Sequence, residues 1–174
     1  KGDNHYDTIS AFIKSMRGSN PDATLHYLAR MIKAGEDPMF IARRLVIFAS
    51  EDIGNAQPTA LVLATSTMQA VHMIGMPEAQ LLLSQCATYL ASAKKSIAST
   101  EGIFAALSDI DDERLEPIPL HLRNATNKVM KQFNYGKGHV RYTWKQEKET
   151  GQKVNQEYMP KNLVGKKYYK KDWE

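Results

Sequence analysis

Through residue 112 the sequence repeats one pattern: a helical apolar period, then proline or glycine, then another period. The joints are so short that consecutive helices must pack as hairpins. In "YDTISAFIKSM", Ile9, Phe12, Ile13 and Met16 fall at i, i+3, i+4 and i+7, one face of a helix that Gly18 stops. Asn20-Pro21 opens a second helix as cap and first helical residue; Leu25, Leu28, Ala29 and Ile32 form its stripe, and Gly35 closes it. Asp37-Pro38 opens a third in the same way, and Gly54 ends it. Pro58 to Ile74 reads as a fourth helix, with Leu61, Ala64, Thr65, Met68 and Val71 on one side. Pro77 to Ser92 reads as a fifth, with Ala79, Leu82, Leu83, Cys86 and Leu90. A sixth spans about Lys94 to Ile110, using Ile97, Ile103, Phe104, Leu107 and Ile110. The fold class is therefore all-α, a compact multi-helix domain.

The texture changes after Asp112. "LEPIPLHLRNA" holds two prolines and starts one further helix near Leu120 that ends before Gly136. Beyond it the aromatics, glycines and lysines have no helical period. "HVRYTW" and "KVNQEYM" have the composition of short strands around a turn at Thr150-Gly151. Tyr135, Tyr142, Trp144, Tyr158, Tyr168, Tyr169 and Trp173 are too many large rings for a disordered tail. The expected division is a helical domain over 1–134 and a tail over 135–174 that packs on that domain or on a neighbouring subunit.

Charge follows the same division. Residues 1–122 hold ten Lys/Arg against fourteen Asp/Glu, and residues 123–174 hold thirteen against five. A net −4 body thus carries a net +8 section, which suits either a solvated tail or contact with nucleic acid or an acidic protein. The solvated tail is the plainer account. One cysteine excludes an intramolecular disulfide. No apolar run approaches the roughly 20 residues of a membrane-spanning helix, so no membrane partner is expected. The chain opens at Lys1 without methionine or a signal-like segment, as a piece of a longer protein would.

No motif marks a catalytic centre. There is no phosphate loop of the form GxxxxGK[ST], no HExxH pair and no GxSxG elbow. The five histidines are scattered, and His72 reads as a packed residue rather than a base. No catalytic residue, cofactor site or metal site is expected within the chain. One stretch, "FIARRLVIFASEDIGNA", places Arg43, Arg44, Glu51 and Asp52 in apolar surroundings. Buried charge is costly unless paired. Arg44 and Glu51 are seven residues apart, about 10 Å along a helix, too far for a direct pair. These four residues are thus expected to find partners on other helices or on another subunit. A polar network that fixes helix register is favoured over an arginine acting on a nucleotide bound elsewhere.

These residues also carry a resemblance. "SAFIKSMRGSNPDATLHYLARMIKAGEDPMFIARRLVIFASEDIGNAQP" resembles the region after the ATPase core in the replication-associated recombination protein A family, also called MgsA. The Werner-helicase-interacting ATPase is its eukaryotic relative. The similarity continues through "IGMPEAQLLLSQCATYLASAKKS", "PLHLRNA", "YGKGH" and "QEYMPKNLVGKKYY". Two elements depart from the family: "APKSN" is Ala93-Lys94-Lys95-Ser96-Ile97 here, and a "YPHD"-like element is Tyr142-Thr143-Trp144-Lys145.

The resemblance implies an AAA+ ATPase related to clamp-loader subunits, in which this part is a collar-like oligomerisation domain that drives a homotetramer. It implies ATP and Mg in an ATPase domain outside this chain. It further implies work on DNA at stalled or damaged replication forks, with other replication proteins as possible partners, and a cytoplasmic, nucleoid-associated location in a bacterium. A nucleic-acid-binding module built on the basic section is the competing reading.

Overall fold

The computed structural model describes residues 2–112 and 114–174, and among these it is helical with no strand. The first five helices are α1 (Gly2–Arg17), α2 (Pro21–Lys33), α3 (Pro38–Phe48), α4 (Thr59–Ile74) and α5 (Ala79–Ser92). They are followed by α6 (Ala98–Asp112), α7 (Lys128–Gln132) and α8 (Thr143–Thr150). Two compact units result: Lys1–Ala106 with Tyr168–Glu174, and Leu107–Lys167.

Local chemistry sets the starts in the first unit. Asn20 Oδ1 accepts from the Ala23 N–H at 3.0 Å, and Asp37 Oδ1 accepts from the Met39 N–H at 3.0 Å. Each supplies a partner to an N–H that has none within its helix, with proline in the following position. The core is built around α5, which packs on α1, α2, α3 and α4. Leu83, Cys86, Ala87, Leu90 and Ala91 of α5 are buried against Phe12 and Met16 of α1, Leu28 and Met31 of α2, and Ile41, Leu45 and Phe48 of α3. The alanines Ala60 and Ala64 of α4 are fully buried, as residues at a close helix approach must be.

Two stripes differ from expectation. On α2 the buried line is Thr24, Leu28 and Met31, while Leu25 and Ala29 face outward. Thr24 succeeds at a core position because its hydroxyl donates to the Asn20 carbonyl at 2.8 Å. On α4 the line is Ala60, Ala64, Thr67 and Val71, with Leu61 and His72 exposed, so His72 is not a packed residue.

After Phe48 the helix widens into a π turn, Ala49–Ile53, and a short 3-10 turn, Gly54–Ala56. Gly54 has φ +52°, and a Cβ there would sit 3.4 Å from the Ser96 carbonyl oxygen. Glycine relieves both constraints.

The second unit is looser and less regular. The helix expected from Leu120 to before Gly136 is instead a 3-10 turn, Leu120–Leu122, and the five-residue α7. The break between them is held by Arg123, whose Nε donates to the Ile118 carbonyl at 2.8 Å and whose guanidinium lies 5.2 Å from the Tyr135 ring centroid. Asn127 Oδ1 then accepts from the Met130 N–H at 2.8 Å and starts α7.

The expected short strands are also corrected. Thr143–Thr150 is α8, and Gly151 closes it in the left-handed conformation. Glu147 explains this: its carbonyl accepts from the Gly151 N–H at 2.8 Å and its Oε1 from the Val154 N–H at 2.9 Å. The two segments do meet, but through a side chain. Gln156 Oε1 accepts from the Val140 N–H at 2.8 Å while its Nε2 donates to the Val140 carbonyl at 3.1 Å. One amide side chain thus satisfies both backbone groups of Val140, as a strand neighbour would.

Candidate functional site

The polar residues of the first unit converge where the π turn meets the 93–97 connection. Asp52 is only 4% exposed. Its Oδ1 accepts from Arg17 Nε at 3.0 Å, which joins the end of α1 to the π turn. Its carbonyl accepts from the Ser96 N–H at 2.9 Å. Its Oδ2 is buried and has no hydrogen-bond donor among the described residues.

Lys95 supplies a second positive charge. Its Nζ donates to the carbonyls of Leu90, Ala91 and Ala93 at 3.2, 2.7 and 2.8 Å, which satisfies the free carbonyl end of α5. Burial pushes the Lys95 ammonium below its ordinary value, and the nearby Asp52 carboxylate opposes that shift.

The far end of the chain completes the junction. Asp172 Oδ1 accepts from Ser96 Oγ at 2.5 Å and its Oδ2 from the Ile97 N–H at 3.0 Å. The Ser96 hydroxyl, and then the Ile97 N–H, hold the Asp172 carboxyl below the usual carboxylate range. Asn55 Nδ2 donates to the Tyr169 hydroxyl at 3.1 Å, and Lys94 Nζ to the Glu174 carbonyl at 2.8 Å. Gly102 of α6 lets this strap approach, since a Cβ there would lie 3.1 Å from the Tyr168 carbonyl oxygen.

The four charged residues singled out from the sequence separate in space. Among the described residues, Asp52 alone of the four has a side-chain partner on another helix. Arg43 is exposed and, among the described residues, pairs only with Asp37 at the start of its own helix, 3.7 Å away. Arg44 is half-buried and makes no ion pair among the described residues. Glu51 takes part through its carbonyl, which accepts from Thr100 Oγ1 at 2.9 Å.

None of the seven tail rings is fully buried. Tyr135 lies under Arg123, whose Nη1 donates to its hydroxyl at 3.3 Å. Tyr142 and Trp144 are exposed with centroids 6.2 Å apart, and the Arg141 guanidinium lies 5.2 Å from the Tyr142 centroid. Tyr158 is exposed and its hydroxyl accepts from Gln156 at 2.8 Å. Tyr168 is half-buried, Tyr169 is exposed, and Trp173 meets Tyr169 edge-on at 6.3 Å.

The family model for the C-terminal part of the MgsA AAA+ ATPases matches residues 18–174. The chain belongs to this family. An AAA-domain protein of Mycobacterium tuberculosis is 49% identical over 97% of this chain and 36% of its own length. Replication-associated recombination protein A of Coxiella burnetii is 41% identical over 97% of this chain and 38% of its own length. The ATPase WRNIP1 of Dictyostelium discoideum is 40% identical over 97% of this chain and 19% of its own length. The chain therefore spans well under half the length of these relatives.

In this MgsA C-terminal domain the Ala93–Ile97 stretch falls on the junction itself, departing from "APKSN" at Lys94 and Ile97 while Lys95 and Ser96 agree with it. Lys95 and Ser96 both make the contacts that join α5, the π turn and the strap. Sequence reasoning found Asp52 but not Arg17 or Asp172, whose partners lie 35 and 76 residues away, nor Lys95, whose partners are backbone carbonyls that no residue type marks. Among the described residues there is no group of three or more His, Cys, Asp or Glu placed to hold a metal ion. No described helix is long and apolar enough to cross a membrane.

Proposed function

We propose that this domain joins subunits of a AAA+ ATPase that works in replication-associated recombination, as a tetrameric collar. One observation carries this reading. The apolar stripe of α6 has the period of a packed helix face, yet Ile103, Phe104, Leu107 and Ile110 stand 48–64% exposed. A stripe of that width on one helix loses contact with water favourably only against another apolar surface. The occupant proposed is a second copy of this chain. The relatives' names, replication-associated recombination protein A and ATPase WRNIP1, support the wider role. The ATP and Mg chemistry then belongs to the part of the longer protein that this chain does not span, and the site of action is DNA in the cytoplasm.

Sedimentation of the isolated domain tests this. The expected result is a tetramer without nucleotide, reduced to monomer by Phe104→Glu with Leu107→Glu while the helical signal is kept. A monomer at high micromolar concentration overturns it, and would assign the stripe to the remainder of the longer chain.

A second reading rests on Tyr142 and Trp144, exposed rings with Arg141 against Tyr142 and with Lys145 and Lys148 on the same helix as Trp144. Exposed rings with cations suit stacked bases of a single strand. Binding of a labelled oligonucleotide that falls steeply with salt and is lost in Trp144→Ala would support it. No binding at low salt would remove it for this domain.

A further inference from the structure

We propose that the first unit carries a docking groove for the chain's own C-terminal segment, separable from that segment, so that Tyr168–Glu174 of a second copy can occupy it. The receptor side is built from regular structure: the start of α6, the π turn and its 3-10 continuation, and the 93–97 connection. Ser96, the residue that receives Asp172, is 4% exposed and is fixed from behind by the bond of its N–H to the Asp52 carbonyl. Its hydroxyl oxygen also accepts from the Ala98 N–H at 3.1 Å.

The ligand side has the opposite character. Residues 168–174 form no helix or strand, and none of them is buried. Their named side-chain and terminal links to the groove are Asp172 with Ser96 and Ile97, Tyr169 with Asn55, and the Glu174 carbonyl with Lys94. A short irregular segment held by a few polar contacts opens at low local free energy, whereas the helices beneath it open only with the core. What is left when it opens is a preformed site with unpaired donors: the Ser96 hydroxyl, the Ile97 N–H, the Asn55 amide and the Lys94 ammonium.

The occupant with matching chemistry is the same segment from another molecule. Exchange of an identical element creates no new interface and needs no complementary surface to be built. Specificity comes from spacing. Tyr169 and Asp172 must reach Asn55 and the α6 start together, while the backbone at Tyr168 passes over Gly102, where a Cβ would lie 3.1 Å from the Tyr168 carbonyl oxygen and crowd it. The segment's own copy normally prevails because tethering holds it at an effective concentration on the order of millimolar. The inference stands without the tetramer, since it concerns the groove and the strap alone.

The test uses a labelled peptide of residues 166–174 as the stand-in for a second copy's strap. Its host is the chain ending at Lys167. Fluorescence anisotropy is expected to show saturable binding to this host, about tenfold or more weaker binding to the intact chain, and loss of binding for the Asp172→Ala peptide. If the shortened chain does not fold, as judged by its helical signal, the full chain carrying Asp172→Ala serves as host. It is then expected to bind the wild-type peptide better than the intact chain does. Equal binding of the two peptides would reduce the effect to attraction by the lysines and overturn the proposal. A folded host that binds no better than the intact chain would overturn it as well.

Discussion

A buried carboxylate is stable in proportion to what faces it, and Asp52 has an arginine on one oxygen and none of the described donors on the other. Removing Arg17 leaves a nearly buried charge unpaired. Arg17 is itself half-exposed, so the full penalty for a buried pair does not apply. Arg17→Ala should therefore cost about 1–2 kcal/mol in denaturant unfolding. Arg43→Ala, which loses only a long and exposed contact, should cost under about 0.5 kcal/mol. Equal costs would mean that Asp52 does not depend on Arg17. Cys86 offers a separate check on the core. Burial pushes its thiol up to about 11, with the Thr67 hydroxyl opposing the shift. The thiolate is the reactive form, so native protein at neutral pH should resist iodoacetamide and react fully once unfolded. Rapid labelling of native protein would show that α5 is not the closed centre of the domain.

At the scale of elements, Gln156 makes the clearest prediction. Its amide satisfies both backbone groups of Val140, so Gln156→Ala should cost the second unit about 1–2 kcal/mol. It should also speed hydrogen exchange at the Val140 amide. Unchanged exchange there would mean that the side-chain bridge does not protect the strand-like segment. The same residue shows where the sequence ceases to be readable. Helices α1 to α5 were legible because Gly18, Asn20-Pro21, Gly35 and Asp37-Pro38 act through neighbours a few residues away. The start of α6 was not, because the Ile97 N–H and the Ser96 hydroxyl that caps Ala98 are both held by Asp172, far along the chain. The π turn gave no signal at all, since Ala49–Ile53 continues the apolar period of α3. The strands expected in "HVRYTW" and "KVNQEYM" are absent, because composition does not distinguish a backbone ladder from one glutamine side chain that meets Val140. Of the junction, Asp52 was legible as a charge in an apolar run. Arg17 and Lys95 looked like ordinary solvated residues at helix ends.

For the whole molecule, the chain leaves the first unit after Ala106 and returns to it at Tyr168. The last seven residues therefore act on a body whose core was completed long before them in sequence. Asp172 makes that contribution sensitive to acid. Its folded pKa is depressed, first by the Ser96 hydroxyl and then by the Ile97 N–H, with desolvation opposing. Between that value and the ordinary carboxylate value of about 4 the unfolded chain binds more protons than the folded one. The contribution is thus fully present above about pH 4 and is lost as pH falls through the folded value. Asp172→Asn should lower the Tm of the first unit near neutral pH. The difference from the intact chain should shrink as the acid pH falls through the depressed folded value, below which both carry a neutral side chain. Deleting residues 168–174 should lower the Tm at both pH values, because it also removes Tyr169 and the Glu174 carbonyl. A gap between intact and Asp172→Asn chains that stays constant across this range would show that hydrogen bonding alone, and not the carboxylate charge, holds the strap at the start of α6.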